Sequence, residues 1–136
     1  MQALEGKRKP VYPSHAPAIA ARMGGFGGLD HDSSALLCAR GLMEVQGGFT
    51  WRTGARLRLT SSMRLTEAQV EGFLRAIKAP TLLIVGEHGM GGTGMFDHRV
   101  AWVADIRVMQ LAGRHHLHME QPQPVAAEIT GFIQGA

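Results

Sequence analysis

Three histidines, His115, His116 and His118, fall within four positions of the stretch AGRHHLHMEQPQP, residues 112–124. Imidazoles titrate near neutrality, so such a cluster can serve as a set of metal ligands, as an acid/base catalyst, or as a polar loop. For a metal, His116 and His118 alternate and would point the same way from extended chain, while His115 would point away. Glu120, His88 or His98 would then have to complete the site, and no motif of the H-E-x-x-H kind is present. For acid/base work, a histidine after the last strand of a parallel sheet stands at the carboxyl edge, where such sheets carry their chemistry. There it can take a proton from a hydroxyl and return it to a leaving group.

The second stretch with chemical potential is GMGGTG, Gly89 to Gly94, which fits G-x-G-x-x-G between an expected strand and an expected helix. Nucleotide binding there is a reading to be tested. Against it, Glu87 and His88 separate the strand from the first glycine, and Glu87 would repel a pyrophosphate. The next strand also ends in Met109, Gln110 and Leu111 without the acidic residue a ribose requires. A surface turn accounts for the glycines more simply.

Hydrophobic spacing places these stretches on elements. Residues 1–13 read as an extended or disordered lead, since Pro10 and Pro13 turn their neighbours away from helix. A helix is expected over 15–23 with Ser14 as N-cap and Gly24 as stop, then a second through SSALLCAR capped by Asp30 or Asp32 and ended by Gly41. Residues 42–65 read as irregular chain or a loose hairpin around Gly47, Gly48 and Gly54. In LTEAQVEGFLRAI, Thr66 and Gln69 have the capping-box spacing, Leu65 and Val70 suit a hydrophobic staple, and Val70, Phe73, Leu74 and Ile77 share a helical face.

From residue 80 the order becomes strand, helix, strand, helix. Leu82 to Val85 form an unbroken apolar run of the kind a strand covered on both faces carries. Residues 95–103 read as a helix, IRVMQL as a strand, and PVAAEITGFI as a closing helix that buries Val125, Ile129, Phe132 and Ile133. Two parallel strands are too few to bury both faces of a sheet. The chain is therefore expected to be the last part of a larger sheet protein, or to borrow strands from a second copy.

Composition narrows the classes. With 136 residues and 45% hydrophobic content, one domain with a modest core is expected. Net charge is +3, but the basic residues are scattered and aromatics are 6%, so nucleic acid is not the expected partner. A lone cysteine, Cys38, excludes internal disulfides and multi-cysteine metal sites and suits a reducing cytoplasm. No secretory signal or bilayer-length apolar run is seen, so no membrane partner is expected.

PTLLIVGEHG followed by LAGRHHLHMEQPQPVAAEITGFI resembles the closing portion of an α/β-hydrolase-fold serine hydrolase. In that family a histidine after the final strand is commonly followed five residues later by an acid and then by proline, as His115 is by Glu120 and Pro122. YPSHAPAIAARM, SSALLCARGL, GGFTWR and RLRLTSSMRLTEAQVEGFLRAIKAPTLL are similar to the helical cap and re-entry of bacterial members, so the resemblance runs from about residue 10. It implies residues 14–79 as cap and 80–136 as the β-α-β-α end of the core, an incomplete α/β fold.

By that resemblance His115 is the general base, no cofactor is needed, and the substrate is a small ester-like molecule. Met43, Phe49, Trp51 and Met63 of the cap would line its pocket, or else form the cap's own core. The family's nucleophile, a serine on a G-x-S-x-G turn, is not in the sequence. Ser14, Ser33, Ser34, Ser61 and Ser62 lack the flanking glycines, so the chain alone is expected to be inactive. The family's aspartate position falls on Gly89. Glu87 and Asp97 are the possible acids within the chain, and an acid from polypeptide outside it is the alternative.

Overall fold

The computed structural model describes residues 9–54, 57 and 63–135. The chain forms two compact units, Met1–Met63 and Arg64–Ala136.

In the first unit, helix α1 (His15–Met23) begins after Ser14, whose backbone is extended as an N-cap requires but whose side chain makes no capping bond. The reason is local: the third helical residue is Pro17, which has no N–H to give. Helix α2 (His31–Gly41) is capped as expected, the Asp30 carboxylate accepting from the Ser33 amide at 2.7 Å. Ala18, Cys38 and Leu42 form the buried core, with Tyr12, Ile19, Phe49 and Trp51 packed against it. Burial pushes the Cys38 thiol up, with Arg22 pulling weakly the other way.

Residues 42–51, expected to be loose, form a tight antiparallel hairpin of β1 (Leu42–Val45) and β2 (Gly48–Trp51), in register from Leu42 opposite Trp51 to Val45 opposite Gly48. The turn is possible because Gly47 and Gly48 take φ values of 90° and 134°, which side chains rarely allow. The lead segment is not loose either from residue 9 on. Tyr12 and Phe49 exchange backbone hydrogen bonds of 2.8 and 2.7 Å, the Thr50 hydroxyl donates to the Pro10 carbonyl, and Lys9 Nζ donates to the Trp51 carbonyl. Residues 1–8 and 58–62, the latter part of the LRLTSS stretch, lie outside the described residues.

The second unit opens with α3 (Glu67–Arg75), where the capping box forms as expected: Thr66 accepts from the Gln69 amide and the Gln69 side chain accepts from the Thr66 amide. Strands β3 (Thr81–Gly86) and β4 (Ile106–Leu111) pair in parallel, Thr81 opposite Ile106 through Gly86 opposite Leu111. Alternation puts Leu83, Val85, Ile106 and Val108 on one face. On that side α3 and the short helix α4 (Asp97–Val100) border an apolar cleft of about 440 Å³. On the other side Arg107 meets Glu128 of α6 (Pro122–Gly135) at 3.0 Å. At α4, Glu67 accepts from Arg99 Nε and Nη2 at 2.9 and 2.8 Å and lies 3.0 Å from His98. These hydrogen bonds hold the Glu67 carboxyl below the usual range.

Three expectations change. The helix expected over 95–103 is a single turn, Asp97–Val100, preceded by a 3₁₀ turn at Met90–Thr93 and by Gly94 at a left-handed φ of 75°. The run Leu82 to Val85 is half-buried rather than covered. The closing helix has no buried residue: Val125 and Phe132 are half-buried, while Ile129 and Ile133 are 44% and 68% exposed. A two-stranded sheet is too narrow to cover a helix face of that width. No described helix is long and apolar enough to cross a membrane.

Candidate functional site at the strand tips

Because β3 and β4 end in register, their following loops emerge side by side at the carboxyl edge. Backbone hydrogen bonds lace them together, from the Glu87 amide to the Leu111 carbonyl and from the His88 amide to the Gly113 carbonyl, both 2.9 Å. Gly86 is required there. A Cβ would collide with the Arg114 carbonyl and lie 2.8 Å from that of Gly113, while at Gly89 it would come within 3.3 Å of Arg114. The peptide that leads into His115 thus rests on two glycines of the opposite loop.

From the other side, Gly113 at φ 143° leaves room for Leu117, a buried side chain beneath the loop. Residues 117–120 are helical (α5, Leu117–Glu120), started by the His116 carbonyl accepting from the Met119 and Glu120 amides. That turn carries Glu120 back onto the loop. Its Oε2 accepts from the Arg114 amide at 2.8 Å and its Oε1 from Arg114 Nε at 2.9 Å, and its side chain is only 9% exposed.

The three imidazoles do come together, His115 and His116 with ring centres 5.0 Å apart and His116 and His118 6.2 Å apart. They do so on a turn and a helix start, not on the extended chain that would align His116 with His118. Two of the other candidate ligands are engaged: Glu120 by Arg114, and His98 by Glu67 and the edge of Trp102. Among the described residues, no group of three or more His, Cys, Asp and Glu side chains is placed to hold a metal ion. The Gly89–Gly94 stretch packs inward as well. The Gly89 and Gly92 amides donate to the Gly86 and Gly89 carbonyls, and a Cβ on Gly91 would lie 2.6 Å from Val85 Cγ1. These glycines serve close approach to β3, with those two amides turned away from any phosphate.

No model of a known protein family matches the sequence. A serine hydrolase-like protein of Danio rerio is 27% identical over 113 residues, which are 78% of this chain and 35% of that protein. A hypothetical protein of Pseudomonas aeruginosa PAO1 superposes with a TM-score of 0.82 at 36% identity, over 94% of this chain and 46% of its own. The thioesterase domain from the curacin biosynthetic pathway superposes with a TM-score of 0.80 at 21% identity, over 94% of this chain and 47% of its own. This is part of an α/β-hydrolase fold. The chain spans less than half the length of each of these proteins.

Glu87 is exposed, Asp97 starts α4 beside the apolar cleft, and neither carboxylate is hydrogen-bonded to an imidazole among the described residues. Gly89, at the family's aspartate position, is buried against Arg114. Ser33 and Ser34 lie in the first turn of α2, and Ser61 and Ser62 fall outside the described residues.

The four residues expected to line a pocket do not form one wall. Phe49 and Trp51 share a hairpin face with Leu42 and pack on the core, Phe49 also meeting the His15 ring at 4.3 Å. Met43, opposite Thr50, points to the other face, and Met63 is 83% exposed. The residue sequence reasoning undervalued is Glu120, read there as a motif position or spare ligand. Its six-residue separation from Arg114, spanned by one helical turn, was the available signal.

Proposed function

We propose that this chain supplies the cap, residues 14–79, and the general-base side of an esterase-like serine hydrolase, whose nucleophile comes from polypeptide outside it. The carrying observation is the loop that presents His115 at the carboxyl tips of two parallel strands, laced to the β3 loop and held by Glu120. In the reaction, His115 takes the proton of a serine hydroxyl as the oxygen attacks the ester carbonyl, then gives it to the departing alkoxide. The same imidazole next deprotonates water to release the acid and restore the serine. An acid orienting the imidazole comes with the partner, or from Glu87 or Asp97 after rearrangement.

The partner is the N-terminal half of such a hydrolase. Half-buried β3, an uncovered α6 face and the matched share of the relatives support that choice. Alone, the chain has no triad-dependent activity. A cytoplasmic setting fits the one buried thiol.

The test is complementation: the chain is mixed with the part of the Pseudomonas protein that it does not span, and p-nitrophenyl acetate turnover is followed. Turnover above that of either piece supports the reading. A chain that hydrolyses the ester alone, with the activity lost in His115→Ala, contradicts it. The open edges of β3 and β4 favour one other reading, a noncatalytic module that pairs with a second copy. Light scattering of the isolated chain separates them, since a monodisperse monomer leaves that module without a partner.

A further inference from the structure

We infer that Glu120 is a positioning residue for His115, acting through the backbone and side chain of Arg114; this rests on the reading of His115 as the base. The sequence puts the acid five residues beyond the histidine, which in extended chain would be some 16 Å away. The single turn of α5 reverses the chain, so Glu120 ends against the residue that precedes the histidine.

The carboxylate is used on both oxygens. Oε2 takes the Arg114 amide at 2.8 Å, and Oε1 takes Arg114 Nε and Nη2, each at 2.9 Å. A carboxylate with its side chain 9% exposed would be costly to bury without such partners, and charge-assisted bonds of this length are the strong kind. At the other end of the same residue, the Arg114 carbonyl leaves no space for a Cβ on Gly86.

One residue, Arg114, is therefore gripped at its amide by Glu120 and backed at its carbonyl by a glycine. His115 is the next residue along. With φ, ψ of Arg114 fixed from both directions, the imidazole is presented from a defined Cα rather than from a loop free to swing. This is the preorganisation a proton-transfer group needs. Arg114 also neutralises the carboxylate, so the clamp adds no net charge beside the imidazole.

The test uses the chain itself and nuclear magnetic resonance. In Glu120→Ala, with β4 and α6 amide signals unchanged, hydrogen-exchange protection of the Arg114 amide should fall about 10- to 100-fold, as for loss of a bond to a charged group. The His115 ring signals should move toward those of a free histidine. Glu120→Gln keeps a carbonyl oxygen for the amide and should hold the His115 ring signals near their original positions.

The inference is overturned if Arg114 stays protected in Glu120→Ala, or if protection is lost while the ring signals do not move. Should Glu120→Ala unfold the unit, Glu120→Gln decides: ring signals at free-histidine positions with Arg114 still protected would overturn it. None of these readouts depends on turnover. Failure of the catalytic reading appears separately, as complemented turnover that survives His115→Ala.

Discussion

Gly86→Ala probes the contact on which the strand-tip site is built. Gly86 is not at positive φ, so alanine brings no backbone strain and its whole effect is steric. The added methyl would stand 2.8 Å from the Gly113 carbonyl oxygen and collide with that of Arg114. Ordinary contact begins near 3.4 Å, so the two loops must part by at least about 0.6 Å. That stretches the His88 to Gly113 hydrogen bond from 2.9 Å to about 3.5 Å, the limit of a useful bond, and loosens the Glu87 to Leu111 bond beside it. Overpacking costs about 1–3 kcal/mol and a lost hydrogen bond about 1 kcal/mol, so the second unit should lose about 2–4 kcal/mol. Urea unfolding followed at the β4 amide signals should show a midpoint lower by about 1 M or more at unchanged slope. Amide shifts of residues 113–116 should change more than those of β4 itself. A variant with the original midpoint and unchanged shifts at 113–116 would refute the packing described.

Further outcomes follow from other contacts. Asp30→Ala should cost about 1 kcal/mol in the first unit through loss of the α2 cap, and Asp30→Asn should recover most of it; thermal melting followed through Trp51 checks both. Gly48→Ala, where a Cβ would collide with the Tyr12 carbonyl at φ 134°, should abolish the exchange protection of the Tyr12 and Phe49 amides. Gly54→Ala, with nothing within 4 Å, should leave them intact. Glu67 has its carboxyl held low by Arg99 and His98, so its contribution is present above the ordinary glutamate range and is lost as pH falls through the lowered value. Glu67→Gln should flatten the acid side of the stability profile of the second unit. Cys38, buried with its thiol pushed up, should resist a disulfide reagent in the native chain and react once urea is added.

The parts of the fold legible in the sequence were those set by local rules. The capping box at Thr66 and Gln69, the Asp30 cap and the strands at 81–86 and 106–111 depend on neighbours within a few residues, and each formed as read. The rest turned on local detail passed over or on contacts from far along the chain. The Ser14 cap lacks its bond because Pro17 has no N–H, the helix expected over 95–103 forms only at Asp97–Val100, and the hairpin read around Gly47 and Gly48 as one of two choices is tightened by residues 9–12 from far along the chain. The imidazole cluster was visible as spacing, but its support was not. That Gly86 must be glycine because the 113–114 peptide lies on it, and that Glu120 closes on Arg114, are facts of tertiary approach with no periodic signature.

Which of three adjacent imidazoles carries the proton is the question on which the proposed function turns. It is answered most directly by p-nitrophenyl acetate turnover of the complemented complex in three single variants, His115→Ala, His116→Ala and His118→Ala. Turnover should vanish with His115→Ala, by several orders of magnitude as for loss of a triad histidine, and persist in the other two. Activity that survives His115→Ala, or that is lost only with His116→Ala or His118→Ala, would contradict the assignment.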